Sequence, residues 1–166
     1  MNEFPRTLKI ATVWLLIGLV VFLGFRALET QQQRSRFAFE GGAIEIRRGP
    51  DGHYHWPGRL SGPAGSREVE FLVDTGATRS AISTELAREL GLDAIGRVQS
   101  GTAGGTVNGE VARADLALEG GVRADRLPLI VLPALGEQPL LGMDVLGRLR
   151  WQQQGGVLRV EPHAPR

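Results

Sequence analysis

The chain has 166 residues, with 19 basic and 18 acidic side chains, a net charge of +1 and no cysteine. Scattered basic residues and a charge near zero exclude a nucleic-acid footprint, and the lack of cysteine excludes disulfides and thiolate metal sites. From about Ala43 the length suffices for one core-bearing domain, 43–161, followed by a tail at 162–166, with no room for a second core.

The first predicted element is the uncharged apolar run 10–25. As a helix it spans ~24 Å, a little short of the ~30 Å hydrocarbon core of a bilayer. Leu8, Ala27 and Leu28 extend it when Lys9 and Arg26 snorkel. An uncleaved anchor over 1–28 is the leading reading, a cleaved signal peptide the second and a buried core helix the third. Gly24-Phe25-Arg26-Ala27 is too bulky and charged for a small-x-small cleavage site. Arg6 and Lys9 favour a cytoplasmic N-terminus, while Arg26, Arg34 and Arg36 weigh against it. The position of the run at the extreme N-terminus decides for a single-pass inner-membrane protein whose domain faces the periplasm.

Residues 29–42 begin with a polar, aperiodic stretch containing Gln31-Gln32-Gln33 and read as a juxtamembrane linker. Ala43 to Arg47 alternates as a half-buried strand does. A turn at 49–52 (Gly-Pro-Asp-Gly) leads into a hairpin of strands 53–60 and 68–73. Its turn, 61–66, is longer than a minimal one. Residues 83–91 predict a short helix, with Ser83 as cap, Glu85 in the first turn and Gly91 as terminator. Strands follow at 97–100 and 107–118, joined by a Gly/Thr-rich segment, and at 122–132, where Pro128 predicts an edge or a bulge. A second short helix is expected within 143–149. Strands 151–154 and 157–160 flank the hairpin signal Gly155-Gly156. Many short strands with two short helices predict a mostly-β, barrel-like domain behind one transmembrane helix.

The chemistry concentrates at Phe71-Leu72-Val73-Asp74-Thr75-Gly76-Ala77-Thr78. An apolar strand delivers one carboxylate into a tight turn rich in hydroxyls. Gly76 admits backbone geometry that a side chain forbids, and Thr75 and Thr78 can bond the backbone or a second copy of the loop. Taken alone, such an aspartate caps a turn; held at the floor of a cleft, it is a candidate for acid–base work. The second element is Leu140-Leu141-Gly142-Met143-Asp144-Val145-Leu146, an apolar strand ending in a tight turn. His53 and His55 share a strand face, and His163 lies in the tail. A zinc site needs further ligands, so these histidines read as strand surface and no metal or cofactor is expected. Trp151 reads as core or interface packing.

The hydrophobic–DTGAT motif, the LLGMDVL element about seventy residues later and Asp51-Gly52-His53-Tyr54 ahead of both resemble the retropepsin-type aspartic proteases. The match is to their bacterial membrane-anchored members and covers roughly 49–160. The resemblance implies a closed β-barrel-like domain, a flap and a symmetric homodimer acting on peptide or protein substrates, with one catalytic aspartate per subunit. Asp74 takes that role. Thr75 and Gly76 lock and line the active-site loop, Ala77 lets the substrate backbone approach, and Thr78 stabilises the turn or touches substrate. Leu141 and Gly142 become scaffold behind the loop. A two-lobed enzyme with both aspartates on one chain does not fit, since no other D-[ST]-G occurs. The flap falls at 99–109, with its tip at Thr102, Ala103, Gly104 and Gly105, or at the rival turn Asn108-Gly109. Two other classes of function stay open: a silent module that binds extended peptides by strand addition, and an assembly protein in which Asp74 is incidental.

Overall fold

A computed structural model describes residues 14–23, 36–102, 105–133 and 135–161. Two compact units divide the chain, 1–34 and 35–166. In the first, residues 14–23 form helix α1, with every residue exposed, Trp14, Leu16 and Phe22 among them. No helix among the described residues is long and apolar enough to cross a membrane. The expected anchor extends past α1 at both ends, where it lies outside the described residues, as does the tail 162–166.

The second unit is mostly β. In chain order its elements are β1 (Arg36–Phe39), β2 (Ile44–Arg47), β3 (His55–Gly62), β4 (Gly65–Val73), β5 (Ala81–Ser83), α2 (Thr84–Glu89), β6 (Gly96–Thr102) and β7 (Gly105–Leu118). These are followed by β8 (Val122–Leu132), β9 (Leu140–Leu141), α3 (Met143–Leu146), β10 (Arg150–Gln154) and β11 (Val157–Glu161). The eight-stranded sheet runs β1-β8-β5-β9-β4-β3-β7-β6, and an added β7–β8 pairing carries the hydrogen bonding round from β8 back to β8. β10, β11 and β2 form a separate three-stranded sheet.

The elements follow from local chemistry. Strands β3 and β7 alternate buried with exposed positions, the period-2 signature of a sheet with one face on the core. Trp56 on β3 lies opposite Phe71 on β4, and both are almost wholly buried. Side chains of this size each contribute about 2–3 kcal/mol on leaving water. The pair anchors β4 three residues before Asp74. Leu60, Leu127, Leu129, Leu141 and Val160 complete the core around it. The Ser83 hydroxyl accepts from the Leu86 N–H at 3.2 Å and caps α2 as expected.

Three local expectations change. Arg36–Phe39, placed in the linker, forms β1 and pairs antiparallel with Val122–Asp125 of β8. Strands β3 and β4 pair as far as Gly62↔Gly65, so their turn is shorter than the 61–66 expected. Asn108 and Gly109, the rival flap turn, lie inside β7 opposite Gln99 and Val98. Pro128 meets its expectation. Among the described residues β1 pairs β8 up to Asp125 and β5 pairs it from Ile130, so the strand partner described for Pro128 is on the β7 side. A register shift follows at Ala114/Leu116, where the Asp115 carboxylate accepts from the Arg126 N–H at 2.7 Å.

Candidate active site

Strand β4 ends at Val73 and hands the chain to Asp74. The handover is fixed by β9, which lies parallel to β4 with Leu72 opposite Leu140 and Val73 opposite Leu141. The Leu72 N–H donates to the Pro139 carbonyl at 2.9 Å, and the Asp74 N–H to the Leu141 carbonyl at 3.0 Å. Leu141 is fully buried behind the loop. The backbone position of Asp74 is thus set by a strand nearly seventy residues away in sequence.

The carboxylate is oriented locally. The Gly76 N–H donates to Asp74 Oδ1 at 2.8 Å. Gly76 has no positive φ, which corrects the reading that its backbone conformation is the special feature. A Cβ on Gly76 would stand 3.2 Å from Asp74 Oδ1, a tight approach to the carboxylate. Asp74 is half-buried, Ala77 is half-buried, and Thr75 and Thr78 are exposed.

Behind the loop lies a clamp with no spacing signal in the sequence. Ser80 is fully buried. Its hydroxyl donates to Asp144 Oδ1 at 2.8 Å and accepts from the Gly142 N–H at 3.0 Å. Its own N–H donates to the same Asp144 oxygen at 2.9 Å. The Met143 N–H donates to the Ala77 carbonyl at 2.8 Å. Gly142 is required by space, because a Cβ there would meet the Arg79 carbonyl carbon at 2.5 Å and the Ala77 oxygen at 2.9 Å. Asp144 is therefore a structural partner of the active-site loop.

The loop faces a cavity of about 730 Å³ lined by Asp74, Gly76, Ala77, Thr78 and Arg79 on one side. Gln99, Gly101 and Val107 of the β6–β7 hairpin also line it. Thr102 pairs with Gly105, so the joining residues of this hairpin are 103 and 104. Ala103 and Gly104, expected at the flap tip, lie outside the described residues. Gly105 has φ +115°, a conformation that L side chains rarely adopt.

The histidine face has a local role. His55 Nε2 lies 2.8 Å from Asp51 Oδ2, and His55 Nδ1 lies 2.8 Å from Gln138 Nε2. The His53 N–H donates to Asp51 Oδ1, which holds that carboxyl below its ordinary range with help from His55. Trp151 is half-exposed on β10.

A family model described as "gag-polyprotein putative aspartyl protease" matches residues 62–148, a span that includes both the Asp74 loop and the β9–α3 element. Among solved structures, the crystal structure of a retropepsin-like aspartic protease from Rickettsia conorii is similar. It is 23% identical, with a TM-score of 0.55 over 80% of this chain and 97% of that one. At that identity the likeness speaks for the fold. A comparison with curated proteins gives no match.

Proposed function

Since the chain belongs to the retropepsin-like aspartic proteases, we propose that it is a membrane-anchored endopeptidase whose active unit is a homodimer, with Asp74 of each copy forming one catalytic pair. One observation carries this reading. A single DTG loop holds a half-buried carboxylate at the edge of a substrate-sized cavity, oriented by the Gly76 N–H. One such carboxylate is half of the machinery.

Two carboxylates brought within a few ångströms cannot both ionise easily, so the pair shares a proton and titrates as a unit. The ionised member takes a proton from a bound water, whose oxygen attacks the scissile carbonyl carbon. The protonated member donates to the carbonyl oxygen and stabilises the tetrahedral oxyanion. Collapse expels the amine, which leaves with a proton from the pair. Thr75 hydroxyls bonded across the two-fold axis lock the loops, and Ala77 leaves room for the substrate backbone. The β6–β7 hairpin closes over an extended peptide and excludes water.

Exposed apolar side chains along α1 support the membrane part of the reading, because an apolar surface of this kind needs a cover. In this reading 1–28 anchors the chain in the inner membrane with the domain in the periplasm.

The decisive experiment is Asp74→Asn. Cleavage of a casein-derived peptide library should fall by ~10³-fold or more, while secondary structure and dimer mass hold. A statine-type transition-state mimic should inhibit the unmodified protein. Full activity in Asp74→Asn overturns the catalytic assignment. Peptide binding without cleavage by both forms would identify a silent binding module instead.

A further inference from the structure

Arg79 differs from the other arginines of the domain in its place, because it lines the Asp74 cavity. Arg59, Arg67 and Arg159 are exposed, and each finds a glutamate. Arg79 is also exposed, and like Arg47, Arg88, Arg97 and Arg123 it has no ion pair or hydrogen bond on its guanidinium among the described residues. It lines the same cavity as Asp74, and these two are the charged side chains among the lining residues. The remaining wall includes Ala81, Val107, Ile130, Leu132, Leu135 and Leu140.

Its backbone lies between packed and hydrogen-bonded neighbours. On one side the Arg79 carbonyl lies against Gly142, too close for any side chain there. On the other, Ser80 is buried and tied to Asp144 and Gly142. An unpaired arginine on the wall of the cavity that holds Asp74 adds little to folding and is well placed for recognition. Guanidinium offers a planar fork of donors that matches a carboxylate. The catalytic pair in the same cavity repels a substrate acid, and a cation on the wall offsets that repulsion.

We propose that Arg79 is a specificity-determining residue that receives an acidic side chain, aspartate or glutamate, of the peptide substrate at a position near the scissile bond. The proposal rests on the endopeptidase reading of the Asp74 site. Acidic extended peptides are therefore the preferred substrate class, and a basic residue at that position is excluded.

The test uses the full chain in detergent and a peptide series carrying Glu, Gln or Lys at each position flanking a cleaved bond. In the unmodified protein kcat/KM for Glu should exceed that for Gln by about tenfold at one position, or at two positions related by the dimer symmetry. Added salt should shrink that ratio. Arg79→Gln should bring the ratio to unity or below, Arg79→Glu should reverse it in favour of Lys, and Arg79→Lys should keep Glu ahead. Each ratio is internal to one protein, so a change in overall activity does not disturb it, and the salt series on the unmodified protein needs no variant to fold. A Glu/Gln ratio of one at every position in the unmodified protein overturns the proposal while leaving the protease reading intact. So does a ratio that survives in Arg79→Gln. Loss of dimer mass in Arg79→Gln, with the Glu/Gln ratio of the unmodified protein at one, would make Arg79 an intersubunit contact. Failure of the unmodified protein to cleave any peptide overturns the protease reading itself.

Discussion

The Ser80 hydroxyl donates a hydrogen bond to Asp144 and accepts one from the Gly142 N–H, so one buried oxygen joins the active-site loop to the β9–α3 turn. A satisfied buried network of this size specifies geometry more than it adds stability. Removing one member is costly, because its partners stay buried without replacement. Ser80→Ala strands the Gly142 N–H and one bond to Asp144, at a cost of about 1–3 kcal/mol. For a domain of this length Tm should fall by roughly 5–10 °C, measured by thermal unfolding. An unchanged Tm would mean that water replaces the hydroxyl and that the clamp is not structural. Asp74 itself was legible from its neighbours, since an apolar run ending in DTG announces a strand and a turn. Ser80 was not. Its partner lies 64 residues away, and a lone serine between an arginine and an alanine has no distinguishing pattern.

The β6–β7 hairpin is the element built to move. Among the described residues β6 ends the sheet order and pairs with β7 alone, and β7 meets β8 from Glu110 onward. The outer part of the hairpin therefore has one described ladder and the packing of Val98 and Val107 on Ile130 and Leu132, which places it toward the low end of local stability. Gly105→Ala forces a side chain onto a φ of +115° at an exposed site with nothing near its Cβ. The core is untouched and the hairpin end can relax locally, so Tm should fall by only about 2–5 °C, while kcat/KM should fall by about tenfold because the strained hairpin closes poorly. Hydrogen exchange should show 100–109 protected only when an inhibitor is bound. Equal exchange with and without inhibitor, together with full activity of Gly105→Ala, would remove the hairpin from the mechanism. The two strands were readable from their alternation and from the glycines between them. The choice of tip was not, because Asn108-Gly109 carries as good a turn signal as the true connection. Pairing of Gln99 with Asn108 decided it.

For the molecule as a whole, one Asp74 per chain makes activity a property of the assembly. Full-length protein should sediment with membranes, whereas a form starting at Ser35 should not. The specific activity of that shorter form should drop on dilution as dimer mass disappears in sedimentation. Activity that is independent of concentration, at dilutions where only monomer is detected, would refute the shared site. A phosphatase fused after Arg166 and exported to the periplasm should be active, and an inactive fusion would reverse the orientation.

The sequence by itself determined the strands, the capped helix α2, the carboxylate turn and the scaffold strand, because each depends on neighbours within a few residues. Alternation, a serine cap and a glycine turn are local physics. Tertiary structure decided what depends on distant partners. β1 looked like linker because a four-residue strand becomes one only when Val122–Asp125 offers a ladder to it. The pairing of β7 with β8 and the parallel seat of β9 beside β4 join segments that no periodicity relates. Arg79 reads in sequence as one more surface arginine. The fold makes it part of the wall of the cavity that holds Asp74, next to the buried clamp at Ser80, Gly142 and Asp144.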